Sequence, residues 1–446
     1  MDYDVVVVGS GVSGLLSALV LSNQGKRVVV LEREDFVGGN ARSYVVDGYR
    51  VDVGPHAITH VFDGPLTELM NDYFKVKPEF IPYGKYYVRT KDKFTPFPWT
   101  VKDWIKFDVL PAGDRRKLMW TLFSHIIKSG SKIDYSVYDI LKGHTFSDRT
   151  WKFVDALCYF MSGRSMNETP AWRMLKGARY VQEHGGKKDF GALSRLKKIF
   201  TYEGTHHQAY PKGGVGSIVE CIIKSFPDGM ADVRTGEGVS RIRVDDGRVV
   251  GVESDGKFYN ADVVVFSGEV RSLVDLIPSG LPGEYASNLS RIRQSTAITV
   301  WLGLKERMEC FEYMGSEIWF EDGKPFWAMP TSNYNKGFAP DGHQLVAFTS
   351  YAGEDSKKEE KKLLETIYGV YSGIEEKIDF KHVQVNHPEK AAITVDAFFP
   401  KPESPIRGLY LAGTDTDTRS MGITRAAFSV KEMINALNSN EGKTRT

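Results

Sequence analysis

The chain has 446 residues, 41% of them hydrophobic and 12% aromatic, enough for two or three domains with ample cores. Its 58 Lys and Arg balance 57 Asp and Glu, which excludes the charge asymmetry expected of a nucleic-acid or polyanion partner. No apolar run reaches the ~18 residues of a bilayer span.

The first element is the apolar run Tyr3–Val8, which enters a glycine turn, Gly9-Ser-Gly11-Val-Ser13-Gly14, directly. Because the run starts at the N-terminus, no cleavable leader is expected, and the chain is expected in the cytoplasm. A helix should follow the turn, then a second buried strand ending at Glu32, 18 residues beyond Gly14. Gly9 permits the tight turn, Gly11 lets backbone approach a pyrophosphate, and Gly14 lets helix pack on strand. The free N–H groups of the helix face the phosphates, and Glu32 can accept hydrogen bonds from a ribose. This pattern predicts a dinucleotide site. A second glycine pair, Gly38-Gly39, then Asn40, Arg42 and the step Gly54-Pro55-His56, suit a flavin dinucleotide, whose cofactor extends across the pyrophosphate towards a buried ring.

Residues 73–204 read as a mainly helical insertion. Apolar residues recur at helical spacing over 114–128 and 147–161, with Ser147 as N-cap. Phenylalanines, tryptophans and lysines interleave over 94–110, a candidate for peripheral membrane contact. Tyr210–Glu220 reads as a glycine turn and helix. Residues 233–252 alternate around an Asp-Asp-Gly turn, a β-meander, and Asn260–Phe266 is a buried strand. Residues 297–303, 317–320 and 344–351 look like antiparallel strands, followed by a Lys/Glu-rich helix near 356–376. Leu409–Gly413 is a last strand, leading through Asp415 to a helix start near Ser420–Val430. A polar tail from Asn438 is expected to fray.

These segments resemble the FAD-dependent family of amine oxidases, protoporphyrinogen oxidases and phytoene desaturases. The likeness rests on the glycine turn with Glu32, the Gly38-Gly39 element, the Gly-Pro step, the Pro-x-Gly-Gly turn at 211–214 and the Gly-Asp ending. It implies an α/β fold: a Rossmann-type FAD-binding domain (1–72, 205–290 and 390–446) with a discontinuous α+β substrate domain. The helical insertion 73–204 and an antiparallel sheet at 291–389 would form the latter. Non-covalent FAD is implied, since Cys158, Cys221 and Cys310 lie away from the C-terminal flavin segment. Those three cysteines also lack metal spacing and suit a reducing compartment. The implied cofactor-binding residues are Gly9, Gly11, Ser13, Gly14, Glu32, Arg33, Gly39, Asn40, Arg42, Gly54, Pro55, His56, Ala57, Val239, Gly413, Asp415, Met421, Gly422 and Ile423. Asn40 stands where the family usually has arginine, so phosphate contact is expected to pass to Arg42 or to backbone amides. Val239 matches the residue that grips adenine through its backbone. The last helix should aim its N-terminus at the flavin pyrimidine edge.

Hydride transfer at flavin N5 needs position and exclusion of water more than an acid–base motif. His56 is the candidate proton carrier beside the flavin, against the alternative of a packing histidine bonded to backbone. Arg425 either compensates charge at the flavin edge or decorates the last helix. His60, His206 and His207 read as loop histidines, and no metal site is expected. The eight tryptophans all fall in the insertions, as an aromatic tunnel or as ordinary core. The substrate expected is an apolar lipid of isoprenoid type, desaturated, saturated or isomerised. The alternative is porphyrinogen or amine oxidation, and less favoured is a flavin-binding protein without turnover. The proline-flanked glycine run of carotenoid desaturases is missing from 416–424, which speaks against carotene desaturation itself. The electron partner is left open between quinone, oxygen and a reduced carrier, as is the oligomeric state.

Overall fold

A computed structural model describes residues 3–54, 56–128, 135–175, 207–278 and 280–444. Pro55 and His206 therefore lie outside the described residues. Val5–Val8 is buried on both faces, as a near-continuous valine run in the interior of a parallel sheet should be. It pairs with Val28–Leu31 on one side and Val263–Phe266 on the other. Leu409–Leu411 and Ala231–Arg234 complete a five-stranded, wholly parallel sheet. Five segments spread over the chain thus build one α/β sheet. The helix Val12–Asn23 packs on it in one core with the C-terminal helix, through Leu16, Leu19, Ala427, Val430 and Ile434.

The meander Val239–Asp245, Arg248–Ser254, Lys257–Asn260 is antiparallel, and its first turn sets Asp246 and Gly247 at φ 45° and 68°. Such a turn matches the right-handed twist of its strands. The helices Ala112–Lys128 and Asp148–Ser162 form near the expected bounds, and Ser147 caps the second by accepting from Thr150 N. The C-terminal helix runs to Thr444, past the expected fraying point. Asn440 tethers it by donating to Glu403 Oε1 at 2.7 Å.

A seven-stranded sheet forms the second layer, and its longest buried strand, Ala297–Leu304, lies one in from the edge and is buried throughout. Two differences from expectation stand out here. This sheet is mixed, because Gly315–Trp319 pairs in parallel with Lys85–Arg89. Lys85–Arg89 and Phe94–Pro96 come from the stretch expected to be helical and form one edge of the sheet. Strands of three to five residues carry too little periodic signal to be read from sequence. The aromatic stretch 94–110 also turns mostly inward. Phe97, Trp104 and Phe107 gather around Phe153, while Ile105 faces out at 67% exposure. Most tryptophans are likewise core or core-packed residues, with Trp120 the exposed exception at 70%. Among the described residues no helix is long and apolar enough to cross a membrane.

Candidate functional site

The site lies at the carboxyl ends of the parallel strands, where open α/β sheets bind ligands. Gly9 N donates to Leu31 O at 2.8 Å, and Ser267 N to Val8 O at 2.8 Å, so three strand tips close around the glycine turn. A Cβ on Gly14 would strike the Gly9 carbonyl, whereas one on Gly11 would meet no heavy atom within 4 Å. Gly14 therefore serves packing and Gly11 faces open space. Gly38 N donates to Ser10 O at 2.9 Å, which lays the second glycine pair beside Gly11. The Val12–Asn23 helix has no side-chain cap at Gly11. Its first N–H groups suit an incoming anion.

Glu32 is buried, and its carboxylate accepts from Ser10 N at 2.8 Å, Ser10 Oγ at 2.7 Å and Glu34 N at 3.0 Å. A carboxylate has about four acceptor positions, so one remains for a ribose hydroxyl. Gly236 N and Glu237 N donate to the carbonyls of Glu34 and Glu32, both at 2.8 Å, which sets Val239 beside the acid. Ser13 Oγ lies 2.9 Å from Ser267 Oγ and braces the helix against the strand tip.

The candidate cations do not gather as expected. The Arg33 side chain is 80% exposed and pairs with Glu34. Arg42 stacks on Phe36, 3.7 Å from the ring centroid, with its Nε buried and without a partner. Asn40 Nδ2 donates to His387 O at 2.6 Å, across to the loop that leaves the seven-stranded sheet.

The Gly54 step is built between the layers. Gln384, on strand Ile378–Asn386, accepts from Gly54 N at 2.9 Å and Trp301 Nε1 at 3.1 Å. It donates to Asp52 O at 2.7 Å and to Tyr44 Oη at 2.8 Å. Sequence reasoning missed this residue. Its signal was a polar side chain alternating with Phe380 and His382 on one strand face. We expect Gln384→Leu to strand the Gly54 and Trp301 donors and to destabilise the protein by about 2–4 kcal/mol. Urea unfolding would read this, and a loss under about 1 kcal/mol would deny the anchor its role. His56 is partly buried and its Nε2 donates to Val53 O at 3.0 Å. Ala57 is partly buried and packs against the Tyr49–Tyr210 core. Asp52 accepts from Ser43 and Tyr210 at 2.5 Å and from Val215 N at 3.2 Å, while burial raises its carboxyl above the ordinary range.

Asp415, beyond Gly413, is buried. Its Oδ2 accepts from Val270 N at 2.8 Å and its Oδ1 has no partner. Burial pushes this carboxyl up, against the opposing influence of Lys390. The last helix starts at Gly422, with Met421 37% exposed and Ile423 buried. A second residue that sequence reasoning missed, Glu389, accepts from Gly422 N at 2.7 Å and holds this helix N-terminus. Arg425 does not decorate the surface: it is 2% exposed, donates to Ser420 O at 2.9 Å and lies 3.4 Å from Glu389 Oε2. Arg173, from the insertion, donates to the same Ser420 carbonyl at 2.8 Å. Burial and the neighbouring Arg425 both disfavour its charge.

Burial pushes the Cys158 thiol up to about 12 and Cys310 to about 11, so neither is a ready thiolate. His60 and His207 both approach Asp63, at 3.6 and 3.4 Å. Open space before Gly11, the acceptor position left on Glu32 and the unpartnered Asp415 oxygen all fit a flavin dinucleotide.

Comparison with known proteins agrees. Residues 12–429 match the family described as flavin-containing amine oxidoreductase. The chloroplastic prolycopene isomerase of Daucus carota is 22% identical, with 96% of this chain and 78% of that protein covered. An oxidoreductase of Methanosarcina mazei superposes with a TM-score of 0.79 at 19% identity, covering 98% of this chain and all of the other. A putative protoporphyrinogen oxidase of Exiguobacterium sp. 255-15 does so with a TM-score of 0.70 at 16% identity, covering 98% of each chain.

Proposed function

This chain belongs to the flavin-containing amine oxidoreductases and is an FAD-dependent oxidoreductase, and from that premise we propose that it acts on an apolar, isoprenoid-type substrate. Desaturation takes hydride from a C–H carbon and saturation delivers it to a C=C carbon, and these reactions and isomerisation alike need the reacting carbon held against the flavin. When bound, the flavin supplies the hydride-exchanging centre.

The protein's share is position and polarity. Gly11 and the first turn of the Val12–Asn23 helix receive the pyrophosphate, Glu32 takes the ribose, and Asp415 Oδ1 takes a ribityl hydroxyl. Gln384 fixes the Gly54 step to the substrate sheet, with Thr299 and Asn386 facing the same glycine. One observation carries the reading. His56 commits its Nε2 to Val53 O, and Asp52 is engaged by Ser43, Tyr210 and Val215. Neither is aimed as a proton relay, so the hydride is exchanged with flavin and the proton that leaves in desaturation, or enters in saturation, passes to or from water. The likeness to a prolycopene isomerase over most of the chain supports the same substrate class.

Anaerobic mixing of the FAD-loaded protein with polyprenyl and polyene lipids, protoporphyrinogen and primary amines tests this. Bleaching of oxidised flavin by a lipid that is desaturated, or return of the oxidised absorbance when protein pre-reduced with dithionite saturates one, is the expected result. Bleaching by protoporphyrinogen or an amine alone would overturn the substrate class. Silence with all three, together with no change in double-bond position or geometry of the lipids by chromatography, would make this a flavin carrier.

A further inference from the structure

The loop 387–392 returns from strand Ile378–Asn386 to the parallel sheet and carries Lys390. Lys390 N donates to Thr414 Oγ1 at 3.0 Å, and its Nζ donates to the Ser267 carbonyl. That carbonyl lies 3.2 Å from where a Cβ on Gly9 would stand, and a Cβ on Gly413 would lie 3.2 Å from the Nζ itself. The ammonium therefore sits among the tips of strands Val5–Val8, Val263–Phe266 and Leu409–Leu411, beside the glycine turn. Burial lowers the ammonium's pKa from its ordinary value, opposed by the charges of Asp415, Glu269, Glu32 and Glu389, which favour the charged form.

This placement answers a problem the site otherwise has. A diphosphate brings two negative charges to a cleft already lined by Glu32 and Asp415. Arg33 points to solvent, Arg42 is stacked on Phe36, and position 40 is neutral. Asn40 instead grips His387 O, three residues before Lys390 on the same loop. We propose that Lys390 is the cation that binds the pyrophosphate of FAD, and that Asn40 is a positioning residue tying its loop to the second glycine pair. The side chain that neutralises the phosphates is thus delivered from the substrate layer rather than from the glycine-rich segment. The inference rests on the dinucleotide site described above.

Apoprotein of the wild type, Lys390→Met and Lys390→Arg would be titrated with FAD by calorimetry. Melting shifts with ADP and with adenosine would be measured beside these. Lys390→Met is expected to weaken FAD about 10- to 100-fold, as loss of a charged hydrogen bond does. It should also erase the advantage of ADP over adenosine, and Lys390→Arg should restore most of both. If Lys390→Met binds FAD as the wild type does, or loses ADP and adenosine equally, the proposal falls. Should that variant not fold, the wild type decides the matter alone. FAD affinity must then decline as alkaline pH removes the ammonium, and a flat profile to pH ~10 overturns the proposal. Failure of the wild type to bind FAD at all would instead refute the cofactor site.

Discussion

Apoprotein carrying Gly11→Ala is expected to fold and melt like the wild type, yet to bind FAD roughly 10- to 100-fold more weakly. Gly11 has φ −61° and ψ 170°, a conformation any residue adopts, and an added methyl would meet nothing within 4 Å. Nothing in the unliganded fold resists the substitution. The methyl instead occupies the space through which a pyrophosphate approaches the helix N-terminus, and overpacking of that kind costs about 1–3 kcal/mol. Gly14→Ala makes the contrast. Its methyl runs into the Gly9 carbonyl, so the expected loss is in folding itself, by at least about 2 kcal/mol. Differential scanning calorimetry and FAD titration of both variants separate the two roles. Equal melting temperatures for the pair, or normal FAD affinity in Gly11→Ala, would refute this assignment.

The second large effect concerns the seven-stranded sheet. Glu317 is fully buried on strand Gly315–Trp319 and pairs with Arg89 at 2.7 Å, while Tyr371 donates to its other oxygen. Arg89 also donates to Cys310 O at 3.1 Å. Above about pH 7, where the carboxyl is ionised, Glu317→Ala leaves a nearly buried guanidinium without its carboxylate and is expected to destabilise the protein by about 3–5 kcal/mol. Burial pushes the Glu317 carboxyl up from 4.5 to about 7, with Arg89 opposing. A folded-state value above the unfolded one means the native state holds the extra proton between these limits. Its stabilising contribution is complete below pH 4.5 and is lost as pH rises through about 7. Relative to Glu317→Gln, which does not titrate, the wild type should therefore lose up to ~1.4 kcal/mol per pH unit across that window. Urea unfolding at several pH values reads the difference. A difference that stays constant, or grows with the opposite sign, would show the carboxyl ionised throughout.

Much of the dinucleotide half was legible in the residues because its signals are local. A run of four valines hidden on both faces, glycines at three spaced positions and an acid at the next strand tip each demand a particular backbone within a few residues. Amphipathic spacing likewise placed the helices Ala112–Lys128 and Asp148–Ser162, and Ser147 marked where the second begins. Resemblance extended this to Asp415 and the last helix.

The rest depends on partners far away along the chain. Lys85–Arg89 becomes a strand because Gly315–Trp319 offers a parallel edge and Glu317 a buried charge for Arg89, neither visible from residues 85–89. Gln384, Glu389 and Lys390 follow one another within seven positions, yet they reach Gly54, Gly422 and Ser267, respectively. Arg173 and Arg425, 252 positions apart, meet on one carbonyl. Local sequence thus specifies backbone shape and the dinucleotide signature, since these arise from neighbours a few bonds apart. Which polar side chains line the site is settled by the closure of one layer on the other, since a buried donor or charge is stable only where distant chain brings its partner.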